Sequence, residues 1–418
     1  MSDTPQISVL MPSLNQIDFV EIAVRSVLEQ RNVCLELIIA DGGSVDGTLG
    51  ILEKLLIEFA PRIRWVSAGD AGPANAINKA LQLSRGHIIG WLNADDIYAP
   101  NAISLAVRTL AADPSLIMVY GEAEHVDAKG NLLRRYPTLP PSAGTDAFQF
   151  GCFICQPTAF LRRSVFDDIG GLDEGLSTAF DFDLWLRVFS KFPGRIGYTN
   201  QILAFSRLHR YTITATQRKN VACEAVCILF RHLGRADHHW VLTYIDEAAR
   251  TYPLYDPSLD FRGHVSAIVA ELASCFDRQA LSRLRTLIDQ DRRLTSVSRG
   301  VHADMFPDGW AKRDLSLRIR APVRGTLSLI LRCQHRSPDD SPLTLRIFTS
   351  EATETSLNVA VRGDFEIRHT FANVALDQFL FVLVRSDATF IPSETDLGST
   401  DARELSYLIT QVLLVGLH

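Results

Sequence analysis

From Ile7 to Ala112 the chain alternates short apolar runs with segments of helical periodicity. Ile7–Met11 reads as a strand, followed by the turn Pro-Ser-Leu-Asn. The next segment sets Val20, Val24, Val27 and Leu28 on one helical face. Leu35–Ala40 is almost continuously apolar and bounded by Asp-Gly-Gly, the pattern of a strand covered on both faces. Leu52, Leu55, Leu56 and Phe59 recur at helical spacing, and Arg62–Val66 returns as a strand. Pro73 suits the first turn of a third helix facing inward through Ile77, Ala80, Leu81 and Ser84. His87–Leu92 and Asn101–Ala112 complete a β-α-β-α-β-α-β-α order, which predicts an α/β domain built on a mostly parallel sheet.

Beyond this the rhythm changes. Ile117–Val126 reads as a strand ending in Asp127-Ala128-Lys129-Gly130. The Pro-rich segment Tyr136–Gly144 reads as a long loop, and helices are expected at Ser164–Ile169 and Asp181–Phe192. Residues 216–289 look helical. Seven alternating runs follow, at Leu315–Arg320, Thr326–Arg332, Leu343–Phe348, Ser356–Val361, Phe365–Phe371, Gln378–Val384 and Ser406–Val415, and predict a β-sandwich. The expected division is 1–215 for the α/β domain, 216–295 for a helical segment and 296–418 for the β-sandwich.

Composition narrows the function classes. A net charge of −6 does not suit a protein that tracks nucleic-acid phosphates. No apolar run reaches the roughly 18 residues a spanning helix needs, and no secretion signal is legible. A cytoplasmic protein is therefore expected. The basic pairs Arg134-Arg135 and Arg162-Arg163 leave peripheral association with the inner face of a membrane open. Seven cysteines suit a reducing compartment. Cys152 and Cys155 form a CxxC and Cys223 and Cys227 lie one helical turn apart, but no second CxxC or Cys/His pair completes a zinc pattern.

In an open α/β sheet, ligands bind beyond the carboxyl ends of the strands. Polar clusters fall at three such ends: Pro12-Ser13-Leu14-Asn15, Asp41-Gly42-Gly43-Ser44 and Asn93-Ala94-Asp95-Asp96. Each alone could be turn chemistry; three in one chain point to a site. The last has the carboxylates that a hard cation such as Mg²⁺ or Mn²⁺ requires, with a small Ala94 permitting close approach.

The ordered segments PSLNQ, SVLEQ, LIIADGGSVDGT, DAGPANAINKAL, GHIIGWLNADDIYAP, CQPTAFLRRSVFDDIGGLDE and FDFDLWLR resemble the family 2 glycosyltransferases of GT-A fold, in particular the bacterial branch that builds surface polysaccharides. The likeness runs to about residue 214. It implies that Pro12, Ser13 and Asn15 line a nucleotide pocket, and that Asp41 accepts a hydrogen bond from the nucleobase. Asp70 and Lys79 would lie near the nucleotide and donor sugar. Asp95 matches the last acid of the family's DxD metal motif, with Asp96 beside it and Asn93 standing where that motif begins with Asp. His209 matches a position that approaches metal or diphosphate in some relatives. Asp181 matches the catalytic base, with Phe180 where the family has Glu.

Chemistry supports the Asp181 assignment separately, because an acceptor hydroxyl must lose its proton as it attacks an anomeric carbon. Asp181 could instead cap a helix. Phe182 and Trp185 are candidates for a sugar-stacking wall, and Arg207 or Arg210 for phosphate neutralisation. The expected activity is metal-assisted, inverting transfer of a sugar from a UDP-, GDP- or dTDP-sugar to a hydroxyl of a glycan or lipid-linked acceptor. Two other readings compete. A sugar nucleotidyltransferase would carry a Gly-rich phosphate loop after the first strand, which PSLNQ lacks. A carbohydrate-binding protein with a degenerate transferase domain is favoured only by Asn93 and Phe180.

Overall fold

The computed structural model describes residues 4–251, 261–298, 301–336, 338, 342–349, 354–360, 362–395 and 399–417. The chain divides into two compact units, Met1–Trp240 and Val241–His418. The helical stretch expected at 216–289 is shared between them, and its residues 252–260 lie outside the described residues, as does Val361 of the expected strand Ser356–Val361.

The first unit runs β1 (Ile7–Ser13), α1 (Val20–Leu28), β2 (Leu35–Asp41), α2 (Thr48–Phe59), β3 (Ile63–Ser67), α3 (Pro73–Leu83), β4 (Ile88–Trp91), β5 (Ile97–Tyr98), α4 (Ala102–Ala112), β6 (Met118–Val126), β7 (Leu132–Arg135), β8 (Phe160–Arg162), α5 (Arg163–Ile169), α6 (Phe180–Lys191), β9 (Ile196–Arg207), α7 (Ile213–Thr216), α8 (Arg218–Leu233) and α9 (His239–Thr251), the last crossing the boundary. The strands form a nine-stranded sheet in the order β3-β2-β1-β4-β8-β6-β9-β5, with β7 paired to β6 outside that path. Neighbours β1, β2, β3 and β4 are parallel, as are β6 and β9. Strand β2 is buried along its whole length, which is why its sequence is a near-continuous apolar run. The α1 face is buried through Val20, Ala23, Val24, Val27 and Leu28.

Four strands escape the periodicity. The longest, β9, carries Thr199, Asn200 and Gln201 in its middle, and its pairing with β6 shifts register there. A bulge moves polar residues out of the alternation, and the strand signal is lost with it.

The second unit begins in α9 and continues through α10 (Phe261–Glu271), α11 (Arg278–Gln290) and α12 (Arg292–Thr295) into β10 (Val301–Ala303), β11 (Asp314–Arg320), β12 (Gly325–His335), β13 (Leu343–Thr349), β14 (Glu354–Val359), β15 (Gly363–Val374), β16 (Phe379–Ser386), α13 (Pro392–Thr395) and β17 (Leu408–Leu417). Sheets β10-β11-β16-β13-β14 and β15-β12-β17 share one core. Leu315, Leu317, Ile319, Leu345 and Val382 meet Leu329, Leu331, Ile367, Phe371 and Ile409. This is the expected β-sandwich. Trp310 packs edge-on against Phe390, with 5.5 Å between ring centroids. Among the described residues, no helix is long and apolar enough to cross a membrane.

Candidate active site

The parallel register aligns Ser13, Asp41 and Ser67 at the carboxyl ends of β1, β2 and β3. Asp41 is buried, and its Oδ2 accepts from the N–H groups of Gly43 and Ser44 at 2.9 Å and from Ser67 Oγ at 2.8 Å. Its Oδ1 accepts from Ser44 Oγ at 2.5 Å. A carboxylate has about four acceptor sites, two on each oxygen, so Oδ2 is fully engaged while Oδ1, with one donor, can accept another. A nucleobase N–H would bond at Oδ1 or take the place of the Ser67 hydroxyl, which comes from β3 and is exposed.

The β1 loop is clipped to the β2 loop. Asn15 N–H donates to Ser44 Oγ at 2.7 Å and Asn15 Oδ1 accepts from Val45 N–H at 2.9 Å. Asn15 sits at φ 53°, which asparagine tolerates better than most residues. Pro12 is half-buried, and Ser13 Oγ is a buried hydroxyl with no partner among the described residues. Asp70 Oδ1 accepts from Gly72 N–H at 2.9 Å, and Lys79 reaches Gly69 O at 3.4 Å. A Cβ at position 42 would lie 2.8 Å from Asp70 Oδ2, so Gly42 lets Asp70 close on the Asp41 loop. The expected nucleotide residues therefore do gather at one edge.

The acidic loop after β4 divides its labour. Asn93 Oδ1 accepts from Trp91 Nε1 at 3.0 Å, and its amide nitrogen donates to Asp96 Oδ2 at 3.3 Å. Asp96, expected beside a cation, is only 4% exposed and accepts from Arg207 N–H at 2.8 Å. Burial, with the charge of Asp95 adding, pushes its carboxyl well above the usual range. It ties the loop to β9 instead of reaching outward, and buried Ala94 turns in with it. Asp95 faces His209, Oδ2 to Nε2 at 3.1 Å. His209 packs on Phe19 at 4.8 Å between ring centroids.

Arg207 is no phosphate ligand. It is buried over the other part of the Phe19 surroundings, 4.9 Å from that ring, and donates to the carbonyls of Asp95, Asp127 and Ala128 at 2.8, 3.2 and 2.9 Å. Arg210 is exposed and lies over Tyr211.

Across the site, Asp181 lies in the first turn of α6, half-buried. It accepts from Phe182 N–H at 2.8 Å, and burial raises its carboxyl from 3.8 to about 6. Asp181 is not the helix cap; Ala179 occupies that position without a side-chain bond. Glu224 of α8 pins the segment that leads into the helix, accepting from the N–H groups of Ser177, Thr178 and Ala179 and from both hydroxyls at 2.6–2.9 Å. Burial opposes ionisation of Glu224, and these bonds outweigh it, holding the carboxyl below its ordinary value. Sequence reasoning did not find Glu224, since nothing local marks a residue 45 positions from the helix start it serves.

Asp183, by contrast, is bound to Arg187 at 2.8 Å and His232 at 2.7 Å. Phe182 and Trp185 are 2% and 1% exposed, so both belong to the core and neither forms a sugar wall. Instead Trp91 stacks on Phe180 at 5.7 Å, joining the acidic loop to the start of α6. The thiol of Cys155, raised chiefly by burial, is raised further by the charges of Asp96 and Asp181. The Trp91–Phe180 contact is what brings the end of β4 and the start of α6 together.

For a divalent cation, Asp95 and His209 present carboxylate and imidazole at one point, a donor set that suits Mn²⁺. Among the described residues no group of three or more His, Cys, Asp or Glu side chains is arranged to hold a metal. Two protein donors fit a cation that completes its shell with water and substrate phosphates.

A parallel-dominated sheet with polar loop residues gathered at its carboxyl edge is the architecture of a ligand-binding α/β domain. Residues 8–170, within the N-terminal unit, match the family described as Glycosyl transferase family 2. The chain is 32% identical over 187 residues to chondroitin synthase of Escherichia coli, covering 44% of this chain and 26% of that protein. It is 28% identical over 208 residues to hyaluronan synthase of Pasteurella multocida, covering 49% and 21%. The chain thus spans about a fifth to a quarter of the length of these relatives. A crystal structure of S. aureus TarS 1–349 in complex with UDP-GlcNAc superposes with a TM-score of 0.51 at 13% identity, covering 75% of this chain and 96% of that one, a likeness of fold.

Proposed function

We propose that the chain is an inverting glycosyltransferase that moves a sugar from a nucleoside diphosphate donor to a hydroxyl of a glycan or lipid-linked acceptor. The observation that carries this reading is Asp181, a half-buried carboxylate raised to about 6 in the first turn of α6, next to Phe180, which stacks on Trp91 at the start of the acidic loop. The names of the relatives, chondroitin and hyaluronan synthase, support a glycan product.

In this mechanism the β1, β2 and β3 loops hold the nucleotide, with the base N–H bonding to Asp41 and with Asp70 and Lys79 at the sugar side. Asp95 and His209 would hold Mn²⁺ or Mg²⁺, which offsets the negative charge of the departing diphosphate. Asp181 takes the proton of the acceptor hydroxyl as its oxygen bonds to the anomeric carbon and the bond to the diphosphate oxygen breaks. A carboxyl raised to about 6 is still ionised at neutral pH and is a stronger base than an ordinary aspartate. Glu224 and the Trp91–Phe180 stack act as positioning groups.

A thermal-shift panel of UDP-, GDP-, dTDP- and CMP-sugars, with and without Mn²⁺, tests the donor half. The expected result is stabilisation by one nucleotide class that EDTA weakens. No stabilisation by any of them would favour the carbohydrate-binding reading.

A further inference from the structure

The β6–β7 hairpin holds apolar surface that none of the described residues covers. Eight consecutive residues, Ala128–Arg135, are exposed, and within them Leu132 is 60% and Leu133 53% exposed. Neighbouring residues of a strand point to opposite faces, so β7 is packed on neither. Yet the hairpin is firmly built. Asp127 Oδ1 accepts from the N–H groups of Lys129 and Asn131 at 2.8 and 2.9 Å, and Oδ2 from Asn131 Nδ2 at 2.9 Å. Gly130 supplies the positive φ the turn needs, 87°. Arg207 anchors the base through the Asp127 and Ala128 carbonyls.

Charge selects the occupant. Ala128–Arg135 contains Lys129, Arg134 and Arg135 and no acid, in a chain of net charge −6. Arg134 makes no ion pair among the described residues, and Arg135, with 71% of its side chain exposed, has Glu124 only at 3.9 Å. Two adjacent leucines flanked by three cations match a surface that is apolar inside and anionic at its rim, as lipid headgroups over acyl chains are.

We propose that the β6–β7 hairpin docks the transferase unit on an anionic lipid bilayer, with Leu132 and Leu133 entering the interface and Lys129, Arg134 and Arg135 meeting lipid phosphates. The proposal rests on the reading of a lipid-borne acceptor and names the surface that would present it. Tyr136 follows β7 directly, donates to the Cys152 carbonyl at 2.8 Å, and lies within the field of Asp181, as does Cys152. The same segment therefore leads from the exposed tip to the Cys152 carbonyl.

Co-sedimentation of the full chain with phosphatidylglycerol-containing vesicles, and with pure phosphatidylcholine vesicles, tests it. Binding is expected to the anionic vesicles alone, and 0.5 M salt should weaken it. L132S/L133S and R134Q/R135Q should each lower partitioning about tenfold or more, with unchanged circular dichroism and donor-induced thermal shift. Three results would overturn the proposal: no binding to anionic vesicles, both variants binding like the parent, or a parent dimer that L132S/L133S disperses without any vesicle binding. Donor response and vesicle binding are read separately. Intact donor response without vesicle binding sinks the docking surface alone. Vesicle binding without donor response sinks the transferase reading alone.

Discussion

The two sides of the cleft treat their carboxylates in opposite ways. On the β1–β3 side Asp41 is matched by four donors and serves as the rivet of a loop. On the α6 side Asp181 is half-buried with one local N–H partner and a carboxyl raised to about 6. Satisfying a buried carboxylate makes it structural; leaving it short of donors makes it reactive and costly. Glu224 fixes the segment Ser177–Ala179 that delivers Asp181 to its place in the first turn of α6.

The sharpest way to break this contrast is Asp181→Asn. Transfer should fall by at least about 10³-fold, while the donor-induced thermal shift changes little. In the parent enzyme the rate should decline with a slope of one as pH drops below about 6. Stability should move the other way. The folded state keeps the Asp181 proton up to about pH 6, whereas an ordinary aspartate releases it near 3.8. The folded chain thus binds more protons in that window, and its stability falls as pH rises through it. Removing the charge should return up to roughly 3 kcal/mol at pH 7.5 and almost nothing at pH 3.5, measured by urea unfolding. An inactive variant no more stable than the parent at pH 7.5 would mean that Asp181 is not under strain.

Next in size are Asp95→Ala and His209→Ala. Each should weaken Mn²⁺ binding about tenfold or more and raise the metal concentration needed for half-maximal transfer, with folding unaffected. Equal metal dependence in parent and variants would remove the pair from the site.

Glu224→Ala should act mainly on stability. It orphans the N–H groups of Ser177, Thr178 and Ala179, which costs about 1–3 kcal/mol, and transfer should drop several-fold as the start of α6 loosens. Glu224→Gln, which keeps an acceptor oxygen, should recover part of both losses. If E224A unfolds like the parent, the Ser177–Ala179 segment is held by other contacts.

What the sequence discloses follows from how local each cause is. Strands β1, β2 and β4 are legible because burial on both faces writes an almost unbroken apolar run, and Asp41, Asp95 and Asp181 because each sits where an element begins or ends. The fate of those carboxylates is not legible. Whether an acid is satisfied depends on Ser67 lying beside Asp41 across a strand pair, and on Arg207 N–H reaching Asp96 from more than a hundred residues away. Arg207 illustrates the same limit: its type suggests phosphate, while its three carbonyl partners come from segments that only the fold assembles.

The smallest expected effect comes from Gly42→Ala, and it bears on the rigid side of the cleft. Gly42 does not need glycine for its backbone, since its φ is not in the left-handed region. The added methyl would meet only Asp70 Oδ2, at 2.8 Å, and the Asp70 carbon Cγ and Leu14 Cδ1 at ordinary distances. The end of a flexible side chain can move, so the melting temperature should change by no more than about a degree, within the usual range for a substitution outside the core. Moving Asp70, however, disturbs its bond to Gly72 N–H at the start of α3 and the spacing to the Asp41 loop. If Asp70 faces the donor sugar, KM for the nucleotide sugar should rise a few-fold at constant kcat, the mark of lost uniform binding. A kcat change at constant KM would instead place Asp70 among the groups that act on the transition state.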